Sequence, residues 1–420
     1  MLPAGRERAR GLARRIGLLC AALLLASAVP GAEAGARDGL DLRIGEALFD
    51  RAWVPAPAST KGDDGLGPLF DARSCSSCHP RAGRGSIAVD AQGHITGRGA
   101  VLVLARPDGS GDPVYGRRLQ IDAALGLPPE GILAVRDTPA PHGLTQRAPA
   151  PTDLAYGPLD PATGLSLRVA PDLRGRGLIA QVPDATLIAL AAEQAKGTDG
   201  VKGEVRWLTQ PDGTRTTGRF GWKAAQPTLA SQSSEAFFLD MGLSTPLHPE
   251  PWGDCTEAQT ACRNAPHGRE GEDGFEIPDS LLSRVVAYVA SLATPATPQD
   301  ASGARLFAST GCARCHQPAL PTADGGTARL FTDLLLHDLG PGLADTLPEP
   351  GVRPAQWRTA PLAGTKDALA RATGLLHDGR ARTVEAAVLW HDGEAATAVR
   401  RFRALPDRQK AALVAYVSQL

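Results

Sequence analysis

The chain has 420 residues, with 44 Lys and Arg against 45 Asp and Glu and a hydrophobic content of 43%. It is long enough for two or three domains with real cores. A formal net charge of -1 gives no bulk argument for nucleic acid or an anionic membrane surface, so partners must be argued from local sites.

The N-terminus reads as an export signal: a basic stretch from Arg6 to Arg15, an apolar run from Ile16 to Val29, and the small-residue stop Ala32-Glu33-Ala34. The run is short and closely followed by Pro30 and Gly31, which argues against a transmembrane helix. Residues 1–34 are therefore expected to be a cleaved signal peptide, leaving a soluble periplasmic protein with no stable membrane insertion. The alternative is an uncleaved anchor. Cys20 lies inside the run rather than at its end, and is not read as a lipid site.

Next come Gly45-Glu46-Ala47-Leu48-Phe49, an amphipathic helix pattern, and then Cys75-Ser76-Ser77-Cys78-His79. Both features recur, as Gly303-Ala304-Arg305-Leu306-Phe307 and Cys312-Ala313-Arg314-Cys315-His316. A Cys-x-x-Cys-His run is the attachment signature of c-type haem: two thiols on one turn reach the porphyrin vinyl groups, and the next His coordinates iron. Zinc knuckles and thioredoxin-type redox pairs also use Cys-x-x-Cys, but neither requires His after the second Cys in both copies. Two haems are expected, on Cys75/Cys78 and Cys312/Cys315, with His79 and His316 as iron ligands.

About two hundred residues rich in Gly, Pro and Asp follow His79, with short runs at Ala100 to Leu104, Leu165 to Val169 and Gly203 to Leu208. Turn signals at Pro107-Asp108-Gly109 and Pro211-Asp212-Gly213 separate such runs, as loops and β-hairpins would. Cys255 and Cys262 are the cysteines left after haem attachment and signal removal. They should pair in an oxidising compartment, a reactive dithiol being the alternative. The closing patterns Val285 to Leu292 and Leu413 to Leu420 match one another, with a linker at Ala293 to Gln299. The fold expected is mainly α: two tandem cytochrome c-like haem domains, residues 35–294 with a large loop and hairpin insertion, and a compact 300–420.

What the haems do depends on the sixth ligand and the distal polar groups. Once the signal peptide leaves, Met241 is the only methionine, so at most one haem can be His/Met ligated. For the first haem the sixth position is open between none, Met241 and His94, although His94 sits in a hairpin-like turn. His391, after a helical pattern beginning near Thr383, could close the second haem; the other reading is a surface His at a helix C-terminus. His142, His248 and His267 read as surface residues in Pro- and Gly-rich loops.

The stretch Asp64-Gly65-Leu66-Gly67-Pro68-Leu69-Phe70-Asp71-Ala72-Arg73-Ser74, with Gly83-Arg84-Gly85, resembles the di-haem oxidoreductase family of peroxidase-like proteins, often labelled thiol oxidoreductases. So do Phe220 to Ala224, Asp240-Met241-Gly242, Leu336-His337-Asp338-Leu339-Gly340, Trp357-Arg358-Thr359 and the segment from His377 to Ala395. The resemblance covers nearly the whole mature chain. It extends to bacterial di-haem cytochrome c peroxidases and MauG-type enzymes, and implies one electron-accepting haem and one peroxide-reactive haem near the domain interface. In those relatives a His-x-Gly segment is followed fourteen residues later by the distal ligand of the second haem, usually Met or Tyr. The same step from His377 lands here on His391 and implies a bis-His haem, with a lowered potential.

By the same resemblance Asp240 is the candidate acid-base carboxylate, against a plain cap or loop role, and Met241 is core or a ligand. Trp222 and Trp357 are candidates for electron transfer or for packing, and Arg73, Arg84 and Arg358 for pairing with haem propionates. His337 resembles a family His near the second haem and is not read as a ligand. The related peroxidases also suggest calcium between the domains. Expected partners are a small redox donor protein and a peroxide-like small molecule. Two rival functions remain, a non-enzymatic di-haem electron carrier and a haem protein serving metal acquisition.

Overall fold

A computed structural model describes residues 31–60, 62–268 and 274–420, with backbone alone for 31–38. Residues 1–30 of the expected export segment lie outside this description. The helices of the described residues include α1 (Gly31–Asp50), α2 (Cys75–Cys78), α3 (Arg176–Gln181), α4 (Asp184–Lys196), α5 (Leu229–Met241), α6 (Asp279–Ser291), α7 (Ala301–Thr310), α8 (Val384–Trp390), α9 (Ala396–Ala404) and α10 (Asp407–Val417). No helix among the described residues is long and apolar enough to cross a membrane.

The repeated sequence patterns become two similar helix crossings. α1 packs on α6, and α7 packs on α10. At each crossing a glycine lets two backbones approach: a Cβ added at Gly45 would lie 2.8 Å from the Cβ of Tyr288, and one at Gly303 would lie 2.5 Å from that of Tyr416. One turn further on, Phe49 meets the Tyr288 ring at 5.4 Å and Phe307 meets the Tyr416 ring at 5.8 Å, both tilted. The expected linker, residues 293–299, is irregular. The first crossing shares a core with α3 to α5 that includes Trp53, Phe70, Phe237 and Met241, and the second has its own around Phe331 and Phe402.

Helix covers a minority of the chain, and the expectation of a mainly α fold is corrected to a mixed one. The longest strands are β1 (Ala100–Ala105), β2 (Val135–Ala140), β3 (Leu144–Pro149) and β4 (Gly164–Val169). β1 pairs antiparallel with β4, placing Ala100 opposite Val169, and β2 pairs with β3. Alternate residues of β1 are buried on a third core, with Tyr115, Leu119 and Leu167. The C-terminal part also carries hairpins, including β5 (Leu336–Asp338) against β6 (Gln356–Arg358). Strands of two or three residues are too short for an alternating pattern to stand out from loop sequence, so the proportion of helix was overstated.

Cys255 and Cys262 form a disulfide with Cα atoms 6.1 Å apart, as the sequence suggested.

Candidate active site

Both Cys-x-x-Cys-His segments adopt one tight turn. The His79 amide donates to the Cys75 carbonyl and the His316 amide to the Cys312 carbonyl, each at 2.9 Å. In the first copy Ser74 caps the turn, its hydroxyl accepting from the Ser77 amide. Burial pushes the thiols of Cys75 and Cys312 up to about 12, and raises those of Cys78 and Cys315.

A cavity of about 1850 Å³, counting its open mouth, adjoins the second motif. Cys312, Cys315, His316 and His391 line it. His391 is the C-cap of α8, a helix started by Thr383, whose hydroxyl accepts from the Ala386 amide. The His316 and His391 rings face one another with centroids 6.5 Å apart. A metal-imidazole bond of about 2 Å, plus about 1.1 Å from ring nitrogen to ring centre, gives about 6 Å for two imidazoles sharing one metal. The Nδ1 of each ring meets a backbone carbonyl, Phe331 at 3.1 Å and Ala387 at 2.7 Å, which leaves both Nε2 atoms for iron. Phe331 reaches this position with φ of 58°, an uncommon conformation for a non-glycine residue. Burial lowers His316 to about 4 and also lowers His391, so both are neutral and able to coordinate.

The same cavity extends past Trp357 and His377 to Trp222, Arg84 and Arg176. Trp357 stacks on His377 at 3.7 Å with an interplanar angle of 10°, and Trp222 meets the same imidazole edge-on at 6.5 Å. Both indole N–H groups donate to carbonyls, Trp222 to Val169 and Trp357 to Leu343. Lys223 lies 4.5 Å above the Trp357 ring and pairs with Asp345 at 2.9 Å.

Arg84, Arg176 and Arg358 line the cavity and hold backbone carbonyls, yet none has an ion pair among the described residues. Burial lowers Arg84 and Arg176 to about 10 and Arg358 to about 9. Buried guanidinium groups without carboxylates suit the propionates of a haem. With the facing imidazoles and the paired thiols, they make the residues present a fit for the group. Arg73 is exposed, over the Phe70 ring. Arg176 belongs to no motif and was missed.

The first motif has a different setting. His79 is half-buried, and burial lowers it to about 4. Asp240, in the last turn of α5, lies near both Cys75 and Cys78 and raises their thiols further. Its carboxylate pairs with the Arg118 guanidinium at 3.2 Å. Burial raises the Asp240 pKa despite Arg118, and Asp71 beside it is raised well above its ordinary value by burial and by Asp240. Met241 is buried in the core, while His94 sits in the expected hairpin turn with Asp90 at 3.3 Å. His142 and His267 are exposed; His248 is instead half-buried and stacks on Phe238 at 4.9 Å. The one group of three metal-ligand side chains among the described residues is Cys315, Asp333 and His337, unlike the all-oxygen set that calcium takes.

Two Cys-x-x-Cys-His turns, with one cavity lined by a pair of imidazoles, are the residues a di-haem protein needs. The chain belongs to the family described as "Di-haem oxidoreductase, putative peroxidase", whose model matches residues 25–96 and 160–420. Residues 97–159, which carry β1 to β3 and Arg118, fall between the matched segments. A hydrazine synthase chain from Kuenenia stuttgartiensis, solved under 20 bar xenon, is similar at 15% identity over 59% of this chain and 87% of that one. Its TM-score of 0.26 is too low to carry an argument. No curated protein matches.

Proposed function

We propose that the protein is a periplasmic di-haem peroxidase-like oxidoreductase built as two tandem cytochrome c-like domains, residues 35–294 and 300–420. A small redox donor protein supplies electrons to the haem on Cys312 and Cys315, and a peroxide is reduced at the haem on Cys75 and Cys78. In each turnover a peroxide takes two electrons and two protons and leaves as two waters or as water and an alcohol.

The observation that carries the reading is the facing pair His316 and His391, 6.5 Å apart. Two protein imidazoles on one iron leave no position for substrate, so the second site suits electron transfer and the chemistry falls to the first. Bound haem supplies the one-electron redox chemistry and the peroxide-binding iron. Asp240, with its raised pKa and the Arg118 contact, supports an acid-base role: beside a bound haem it would take a proton from the peroxide and return it to the departing oxygen. Trp357 and Trp222, flanking His377, support a short path through the cavity wall. No carboxylate cage stands out among the described residues for calcium, which takes no part in the scheme.

The test is EPR and optical spectroscopy of the two-haem protein, oxidised and half-reduced, with hydrogen peroxide added to each. One haem remaining low-spin while the other shows a high-spin form that consumes peroxide is the expected result. Two low-spin haems inert to peroxide in both states would replace this reading with an electron carrier.

A further inference from the structure

His337 on β5 is 1% exposed, and both ring nitrogens meet carboxylates: Nε2 lies 2.9 Å from Asp333 and Nδ1 2.8 Å from Glu394. An imidazole that donates from both nitrogens carries both protons and is a cation. Burial alone would lower its pKa, but Asp333 and Glu394 hold it well above the ordinary value. The carboxylates are themselves fixed. Asp333 also accepts from the Leu335 amide and the Gln194 side chain, and Glu394 from the amides of Asp338 and Lys202. Two carboxylates and one imidazolium leave the cluster one net negative charge, with Asp333 and His337 buried and Glu394 at the edge of the cavity, partly exposed.

That charge abuts the second motif. The Sγ of Cys315 is 3.6 Å from His337 Nδ1, and His337 and Glu394 line the same cavity as His316 and His391. Cations near the array include Arg353, about half exposed and turned toward Glu204 and Asp338, and the buried cavity residue Arg358, which feels Asp333 but forms no ion pair with it among the described residues.

We propose that Asp333, His337 and Glu394 form a fixed anionic array that lowers the reduction potential of the haem held by Cys312 and Cys315. Adding one electron to that haem puts a second negative charge into the same low-dielectric volume, where the array opposes it. The array acts on top of bis-imidazole ligation and makes the second haem an electron-giving partner. The inference rests on the second-haem reading above.

The test is a spectroelectrochemical titration of the two-haem protein with a one-electron mediator, following each haem separately. Glu394→Gln removes the net charge and should shift the second haem toward the ferrous state about tenfold at a given ambient potential, a rise of about 59 mV. The first haem should be unmoved, and Glu394→Asp, which keeps the charge, should restore the original potential. His337→Gln leaves two uncompensated carboxylates and should move the second haem the other way. Equal second-haem potentials in all four proteins would overturn the array; so would Glu394→Gln and His337→Gln shifting in one direction, which loosened packing alone would produce. A wild-type protein binding only one haem at Cys75 and Cys78 would instead remove the second-haem reading itself.

Discussion

Glu349 offers the most quantitative check on how the cavity wall is held. Its carboxylate accepts from Arg206 at 2.6 Å and Arg168 at 3.1 Å, while the neighbouring Lys223 is paired with Asp345. Burial alone would raise its pKa, but Arg168 and Arg206 outweigh it and hold the group at about 2, against an ordinary 4.5. A depression of this size corresponds to about 3 kcal/mol of folding stability. Because the folded-state pKa is the lower one, that stability is complete well above pH 4.5 and is lost as the pH falls toward 2; more than half is gone by about pH 3. Glu349→Gln should cost about 3 kcal/mol at pH 7, since it leaves Arg206 buried without its carboxylate and Arg168 with only Asp345 at 3.9 Å. Urea denaturation of both proteins from pH 7 to pH 3 measures this. The gap between them should narrow with acid; equal midpoints at pH 7, or a gap of constant size down to pH 3, would refute the reasoning.

Two further perturbations address the helices and the facing imidazoles. His391→Gly should convert the second haem from low to high spin in the ferric EPR spectrum, with added imidazole restoring the low-spin signal; an unchanged spectrum would remove His391 from the iron. Gly45→Ala places a methyl against the Arg284 backbone and Tyr288, and should destabilise the protein by about 1–3 kcal/mol in thermal melts, with Gly303→Ala acting likewise on the second crossing.

What could be read from the sequence was local. The haem turns follow from five consecutive residues, and the glycine-to-aromatic helix pattern repeats with one spacing, so both were visible without tertiary information. His391 was suggested by its fourteen-residue step from His377, and the structure sets it opposite His316. The charged surroundings were not legible. Asp240 meets Arg118, 122 residues away, and His337 meets Glu394, 57 residues away, across segments with no shared periodicity. An Asp four residues before His337 is visible in the sequence, but nothing there tells that both are sealed from solvent. Arg176 follows a glycine in an unremarkable short helix, and only its burial without a carboxylate gives it meaning.

The cavity wall draws on chain segments that are made far apart in time. Arg84 holds the carbonyls of Gly374 and Leu376, partners separated from it by 290 and 292 residues, and Arg147 reaches the carbonyl of Asp378. These closures form only after almost the whole chain has emerged, and contacts of such separation assemble slowly. A chain ending before residue 374 lacks the carbonyls on which Arg84 docks, so that side of the wall depends on about the last tenth of the sequence.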